Sequence, residues 1–195
     1  MRRSGRRAGG ADTRGQILDA ARQVFGEQGF ENASVRKVAG RAGVDPALVH
    51  HYFGTKQALF LAAMELPIDF NALVDRVMAG PRREMGARLV RQTLELWEDP
   101  GTRSLLMGIV RSATTDAVAA EMLRELLSRG PVLALTRASG SPDAALRATL
   151  AGSQIVGLAM ARYVIGVEPL ASATNDQVVR AIGPTLQRYL AGRLE

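Results

Sequence analysis

Apolar side chains recur three and four residues apart along nearly the whole chain, and no stretch alternates residue by residue, so the pattern predicts an all-α protein. Ile17, Ala21, Val24 and Phe25 mark one face of a first helix after Thr13, whose hydroxyl is placed to cap it while Gln16 reaches back; Gly29 marks its stop. Ser34 heads a second, short helix with Val35, Val38 and Ala39 on one side, and Gly43 ends it by admitting a left-handed backbone. Asp45 and Pro46 restart the chain as a cap and a first-turn proline, for a third helix running to about Phe53. Thr55 caps a fourth, which carries Leu59, Phe60 and Met64 and meets Pro67 near its end. Beyond Gly80-Pro81 the spacing predicts a helix from about Glu84 to Trp97, another after Thr102, and one from Asp116 that Gly130-Pro131 kinks or ends. Ser141-Pro142 opens a long helix to about Val167, and Thr174 with Gln177 forms a capping box for a last helix ending near Leu190.

The stretch VRKVAGRAGVDPALVHHYF, residues 35 to 53, sets two helices of barely two turns side by side across a glycine turn. That is the outline of a helix-turn-helix. Ala39, four residues before Gly43, keeps the crossing small, and Val38, Ala42, Val44 and Val49 fill inward positions. So short a pair is unstable alone, so the first and fourth helices must cover its apolar side, leaving the outer face of the second member for a DNA major groove. On that face fall Ala47, His50 and His51 with Tyr52, and Lys56 starts the next helix nearby. The alternative is that the histidines are an ordinary solvated pair and Tyr52 a partly buried core residue. Adjacent helix positions diverge by about 100 degrees, so His50 and His51 do not converge on one metal ion.

Charge fits a polyanionic partner, the alternative being a basic end that only aids solubility. Residues 1 to 56 hold ten Arg and Lys against five Asp and Glu, and the remainder holds fifteen against fourteen. A positive field concentrated in this way suits phosphates, whose neutralisation releases counterions. There is no cysteine, which excludes disulfides and thiolate chemistry and fits a cytoplasmic setting; with both histidines adjacent, no nucleophile, base and orienter can be assembled, so an enzyme is not expected. No cofactor is expected. The first residues, MRRSGRRAGG, lack the apolar run of a secretory signal. The apolar segment Leu146 to Val167 is broken by Arg147, Gln154 and Arg162, so no membrane span is expected.

Residues 13 to 64 resemble the DNA-binding domain of the TetR (tetracycline-repressor-like) transcriptional regulators. The likeness is carried by the first-helix pattern followed by GF, the SVRKVAGRAGV core, the YF closing the third helix and the TKQALF opening the fourth, in order and without a gap. GLAMARYVIGVEPLAS and PTLQRYL are similar to C-terminal domains of actinobacterial members. The resemblance implies a homodimeric repressor that binds a near-palindromic operator on double-stranded DNA and is released by a small-molecule effector. Ser34, Arg36, Lys37, Ala47, His50, His51, Tyr52 and Lys56 match the family's DNA contacts. The family often has an aromatic pair before a histidine at the end of the third helix; here the order is His50, His51, Tyr52.

The expected organisation is a flexible basic arm over residues 1–12, a three-helix DNA-binding domain over 13–60, and a helical effector-binding and dimerisation domain over 61–195. Ala145, Ala148, Gly152, Ser153, Ile155 and Ala159 on the long helix, with Val178, Ile182, Leu186, Tyr189 and Leu190 on the last, are candidates for a helix-pair dimer interface, the alternative being the chain's own core. Phe70, Trp97, Met107, Arg111, Met160 and Tyr163 are candidate effector contacts, because thioether and aromatic groups suit an apolar ligand and an isolated arginine holds an acid; plain core is again the alternative. Two other readings stand beside a regulator: a small all-α ligand carrier, and a nucleoid-type protein that binds DNA without sequence preference.

Overall fold

The computed structural model describes residues 9–64, 68–141 and 143–194, with side chains from residue 13 onward. Most of the basic arm, Pro67 and Pro142 lie outside the described residues. Every regular element is helical: α1 Gly9–Asn32, α2 Val35–Ala42, α3 Pro46–Phe53, α4 Lys56–Ala63, α5 Phe70–Met78, a 3-10 turn Arg82–Glu84, α6 Met85–Glu98, α7 Pro100–Ser112, α8 Ala117–Arg129, α9 Pro131–Ala138, α10 Ala144–Ala159 continued by a π-helical turn Met160–Ile165, and α11 Asn175–Ala191. Among the described residues there is no strand.

Most start and stop signals act as their chemistry predicts. Ser34, Thr55 and Thr174 accept hydrogen bonds from the amides of Lys37, Ala58 and Gln177, and Thr174 with Gln177 closes a full capping box. Two starts differ. α1 begins at Gly9, so Thr13 lies inside it and is not its cap; glycines at 9 and 10 weaken a helix by about 1 kcal/mol each without forbidding it. α7 starts at Pro100 rather than after Thr102, because Asp99 accepts from the Thr102 amide at 2.8 Å and Pro100 opens the turn. That amide bond is the main reason the Asp99 carboxyl is held below the usual carboxylate range. α5 has no counterpart in the pattern reading. Its cap, Asp69, accepts from both Asn71 and Ala72, and its buried side chains are Leu73 and Val77.

The chain divides into two compact units, Met1–Leu66 with Ser104–Asp116 and Pro67–Arg103 with Ala117–Glu195. The first unit takes in α1 to α4 and the later part of α7. At Gly26 a built Cβ would fall 2.6 Å from the Ser104 carbonyl oxygen, so only glycine lets α7 cross α1 this closely. Arg111 of α7 then donates to the Gly26 and Glu27 carbonyls at 3.3 and 2.8 Å, and the Phe30 amide donates to Ser112 Oγ at 2.8 Å. A guanidinium on the carbonyl end of a helix satisfies groups that have no intrahelical partner.

The second unit packs α5, α6, α9, α10 and α11 around Leu89, Val90, Leu94, Leu135, Ala148, Ala151, Leu186 and Leu190, with α8 against α9 and α10. Ala144–Ile165 is long and apolar enough to cross a membrane by length and composition. It is instead packed among helices, and Arg147, 6% exposed, donates to the Arg188, Tyr189 and Gly192 carbonyls at the end of α11.

For five of the candidate dimer contacts, the chain's own core accounts for the apolar face. Ala148, Gly152, Ala159, Val178 and Leu186 are buried within the single chain, and a Cβ at Gly152 would fall 2.7 Å from Leu127 Cδ2 of α8. Ile155, Ile182 and Tyr189 are partly buried against the same core. The most apolar stripe of each helix faces its own chain because that burial stabilises the fold before any partner arrives. The outward positions include Ala145, Leu146, Thr149, Ser153 and Gly157 on α10, of which Ala145 and Ser153 are among the dimer candidates, and Arg180, Ala181, Pro184 and Arg188 on α11.

Candidate nucleic-acid interface

The helical head is built on an aromatic knot. Phe25 and Phe30 of α1 and Phe60 of α4 meet with ring centroids 5.0 to 6.1 Å apart, and Ile17, Val24, Val38, Ala39, Val49 and Leu59 close around them. Gly29, at φ 72°, breaks the α1 helix just before Phe30 and turns that ring inward. Gly43, at φ 67° and ψ 30°, provides the left-handed residue between α2 and α3, and its neighbour's amide, Val44, bonds the Ala39 carbonyl at 3.0 Å. Asp45 caps α3 through the Ala47 amide at 2.7 Å.

This scaffold leaves one face of α3 in solvent. Ala47, His50 and His51 are exposed, whereas Val49 and Phe53 are buried and Tyr52 is half-buried. Tyr52 makes an edge contact with His51 at 5.5 Å and a tilted one with Phe53 at 6.3 Å, so it joins the exposed face to the core. His50 is held more tightly. Its Nδ1 lies 2.8 Å from the Gly54 carbonyl oxygen, while the Gly54 amide donates to the His50 carbonyl at 2.8 Å. A carbonyl oxygen can only accept, so Nδ1 carries the proton and, in the neutral ring, Nε2 is left as an acceptor.

The cations around α2 and α4 are partly engaged by the head itself. Lys37 Nζ donates to Gln28 Oε1 at 2.6 Å and to the Asn32 carbonyl at 3.1 Å, and Ser34 Oγ is occupied by the Lys37 amide at 3.2 Å. Lys56 Nζ reaches the Glu31 carbonyl at 3.2 Å and sits 4.4 Å from the Phe30 ring centroid. Arg36 is exposed. Sequence reasoning missed Arg41, which pairs with Glu27 at 2.6 Å. That hydrogen bond is the main reason the Glu27 carboxyl is held below its usual range. A lowered carboxylate adds stability above its unfolded pKa and loses it as the pH falls through the folded one. Arg41→Gln is therefore expected to return Glu27 to ordinary titration, read as an upward shift of its carboxyl resonance midpoint by NMR.

The candidate effector contacts are split between the units. Met107 and Arg111 belong to the first, where one terminal nitrogen of Arg111 donates to the α1 carbonyls. Phe70, Trp97, Met160 and Tyr163 belong to the second, where Trp97 and Tyr163 stack at 5.3 Å. Among the described residues, no group of three or more histidine and acidic side chains is placed to hold a metal ion.

Residues 17–63 match the family described as "Bacterial regulatory proteins, tetR family", and residues 84–190 match "Tetracyclin repressor-like, C-terminal domain". The chain belongs to the TetR family. It is a transcriptional regulator, a non-enzyme role. This TetR-family protein is 31% identical to the HTH-type transcriptional regulator BetI of Brucella anthropi over 150 residues, covering 66% of this chain and 76% of that one. Among solved structures, a TetR-family regulator from Streptomyces coelicolor A3 is 40% identical with a TM-score of 0.62, covering 96% of this chain and 99% of that one. A Saccharomonospora viridis protein solved in complex with choline is 18% identical with a TM-score of 0.69, covering 94% and 100%. At that identity the likeness is one of fold.

Proposed function

We propose that this TetR-family protein is a cytoplasmic repressor that binds a near-palindromic operator as a homodimer and is released by a small-molecule effector. The observation that carries this reading is the α3 face, with Ala47, His50 and His51 in solvent above a core sealed by Val49 and Phe53. His50 and His51 read base edges, Tyr52 supports them, and Ser34, Arg36, Lys37 and Lys56 meet phosphates. The arginines at positions 2, 3, 6 and 7 add positive charge that strengthens binding to the duplex. The outward stripes of α10 and α11 form the pairing surface, and pairing sets two recognition helices about 34 Å apart, one DNA turn, or a multiple of it. The second unit holds the effector, which acts by favouring an arrangement that no longer matches the groove spacing.

The test is a genomic pull-down of bound DNA followed by a salt titration on the recovered site and a scrambled duplex. A regulator keeps a large preference for the recovered site, whereas equal binding to both duplexes contradicts sequence-specific regulation. Lys56→Ala is expected to weaken binding to every sequence by a similar factor and to lower the salt slope by about 1. An unchanged slope in the same titration places Lys56 in the head's own packing, through Glu31 and Phe30, rather than on phosphate.

A further inference from the structure

Two buried polar atoms in the second unit have no hydrogen-bond partner among the described residues: Nε of Arg162 and the hydroxyl of Tyr163. Leaving such a group unpaired forfeits its hydration without replacement, and native interiors hold few of them. Here the two fall on consecutive residues, both in the π-helical turn Met160–Ile165 that continues α10. Such turns are rare, and they recur where a side chain is aimed for function.

The surroundings give the missing partner its sign. The guanidinium carbons of Arg103 and Arg162 lie 5.5 and 5.4 Å from the Tyr163 ring centroid, and the Trp97 indole stacks on the same ring at 5.3 Å with 6° between planes. The terminal nitrogens of Arg162 reach the Leu170 carbonyl and the Asn175 side-chain oxygen, both uncharged. Among the described residues neither arginine is paired with a carboxylate. Two guanidinium groups thus converge on one half-buried tyrosine, that of Arg162 half-buried and that of Arg103 exposed, and neither is ion-paired among the described residues. The Nε–H of arginine only donates, and the tyrosine hydroxyl donates equally well, so the fitting partner accepts twice and carries negative charge. Quaternary ammonium groups are recognised over open aromatic faces, but the Tyr163 ring is already engaged by two cations and an indole. Trp97, 4% exposed, and Met160, half-buried at the start of the turn, add apolar surface.

We propose that the π-helical turn recognises a small organic acid, whose carboxylate accepts from Arg162 Nε–H and Tyr163 O–H while its apolar part packs beside Trp97. This rests on the reading of the second unit as the effector-holding part and names the chemical class of the effector.

Trp97 is the sole tryptophan of the chain, so its fluorescence reports on this site alone. The full-length protein is titrated with sodium benzoate, sodium octanoate, benzyl alcohol and choline chloride at constant ionic strength. The expected result is a saturable change with at least one of the two acids and none with the alcohol or choline over the same range. Tyr163→Phe and Arg162→Lys should each raise the Kd for that acid by roughly tenfold, the effect of one charge-assisted hydrogen bond. The unliganded Tyr163→Phe protein should melt no lower than the parent, since it loses only an unpaired hydroxyl. Should Arg162→Lys fail to fold, a Tyr163→Phe protein with parental melting carries the test. No response to either acid, an equal response to benzyl alcohol or choline, or unaltered acid affinity in a folded Tyr163→Phe protein overturns the proposal. Operator binding measured on the same preparations separates the two failures. Specific DNA binding with no acid response overturns the acid class alone, and the absence of any preferred site overturns the functional reading itself.

Discussion

Gly86→Val is expected to cost the protein about 3 kcal/mol or more, the upper end for overpacking, and to lower its melting temperature by roughly 6–12 °C for a chain of this size. A Cβ built on Gly86 lies 2.3 Å from the Gly183 carbonyl oxygen and 2.4 Å from the Gln187 amide nitrogen, both backbone atoms that cannot swing aside. The approach is mutual, since a Cβ on Gly183 meets Ala87 at 3.2 Å. Two polar bonds hold the same crossing: the Gly86 amide donates to Gln187 Oε1 at 2.9 Å, and Gln187 Nε2 donates to the Arg82 carbonyl at 3.0 Å. α6 and α11 form the most extensive helix pair of the chain, so separating them opens the core around Leu89, Leu186 and Leu190. Gly15→Ala is the control. Nothing lies within 4 Å of its added methyl on the exposed side of α1, and the substitution should leave stability unchanged or raise it by up to about 1 kcal/mol. Thermal melts followed by circular dichroism distinguish the two; equal melting of Gly86→Val and parent contradicts the close crossing.

The second large effect is on DNA. His50→Ala should reduce operator affinity by roughly 5- to 150-fold, the range for losing one specific base contact, while changing affinity for scrambled DNA little. The polarity of the contact follows from the clamp on the ring: with Nδ1–H held by Gly54, neutral Nε2 accepts, which suits the exocyclic amino group of adenine or cytosine and not the O6 and N7 acceptors of guanine. A double cycle reads this directly. Replacing the contacted base by an analogue lacking its amino group should weaken the parent protein and leave His50→Ala unaffected. A uniform loss on all sequences would place His50 on phosphate instead.

The head was legible because its signals are local. Ser34, Gly43, Asp45 with Pro46, and Thr55 each act within four residues of themselves, and each does in the structure what its chemistry requires. α5 was missed because a nine-residue helix between turn signals presents only two buried side chains, too few for a period to stand out. Asp99-Pro100 repeats the Asp45-Pro46 start, and that signal was available in the sequence. The pairing stripe was not legible for a different reason. Periodicity identifies an apolar face but not what covers it, and in α10 and α11 that face belongs to the chain's own core. Nor could spacing reveal that Lys37 and Lys56 are tied to α1, or that a π-helical turn sets Arg162 beside Tyr163, since both depend on backbone distant in sequence or departing from the α period.

Hydroxyl-radical footprinting on the site recovered from the genome tests the central claim most directly. A pair of α3 helices presented by a dimer should protect two backbone patches related by a dyad, their centres separated by about 34 Å or a multiple of it. A single unpaired patch, or even protection along the whole duplex, would contradict it.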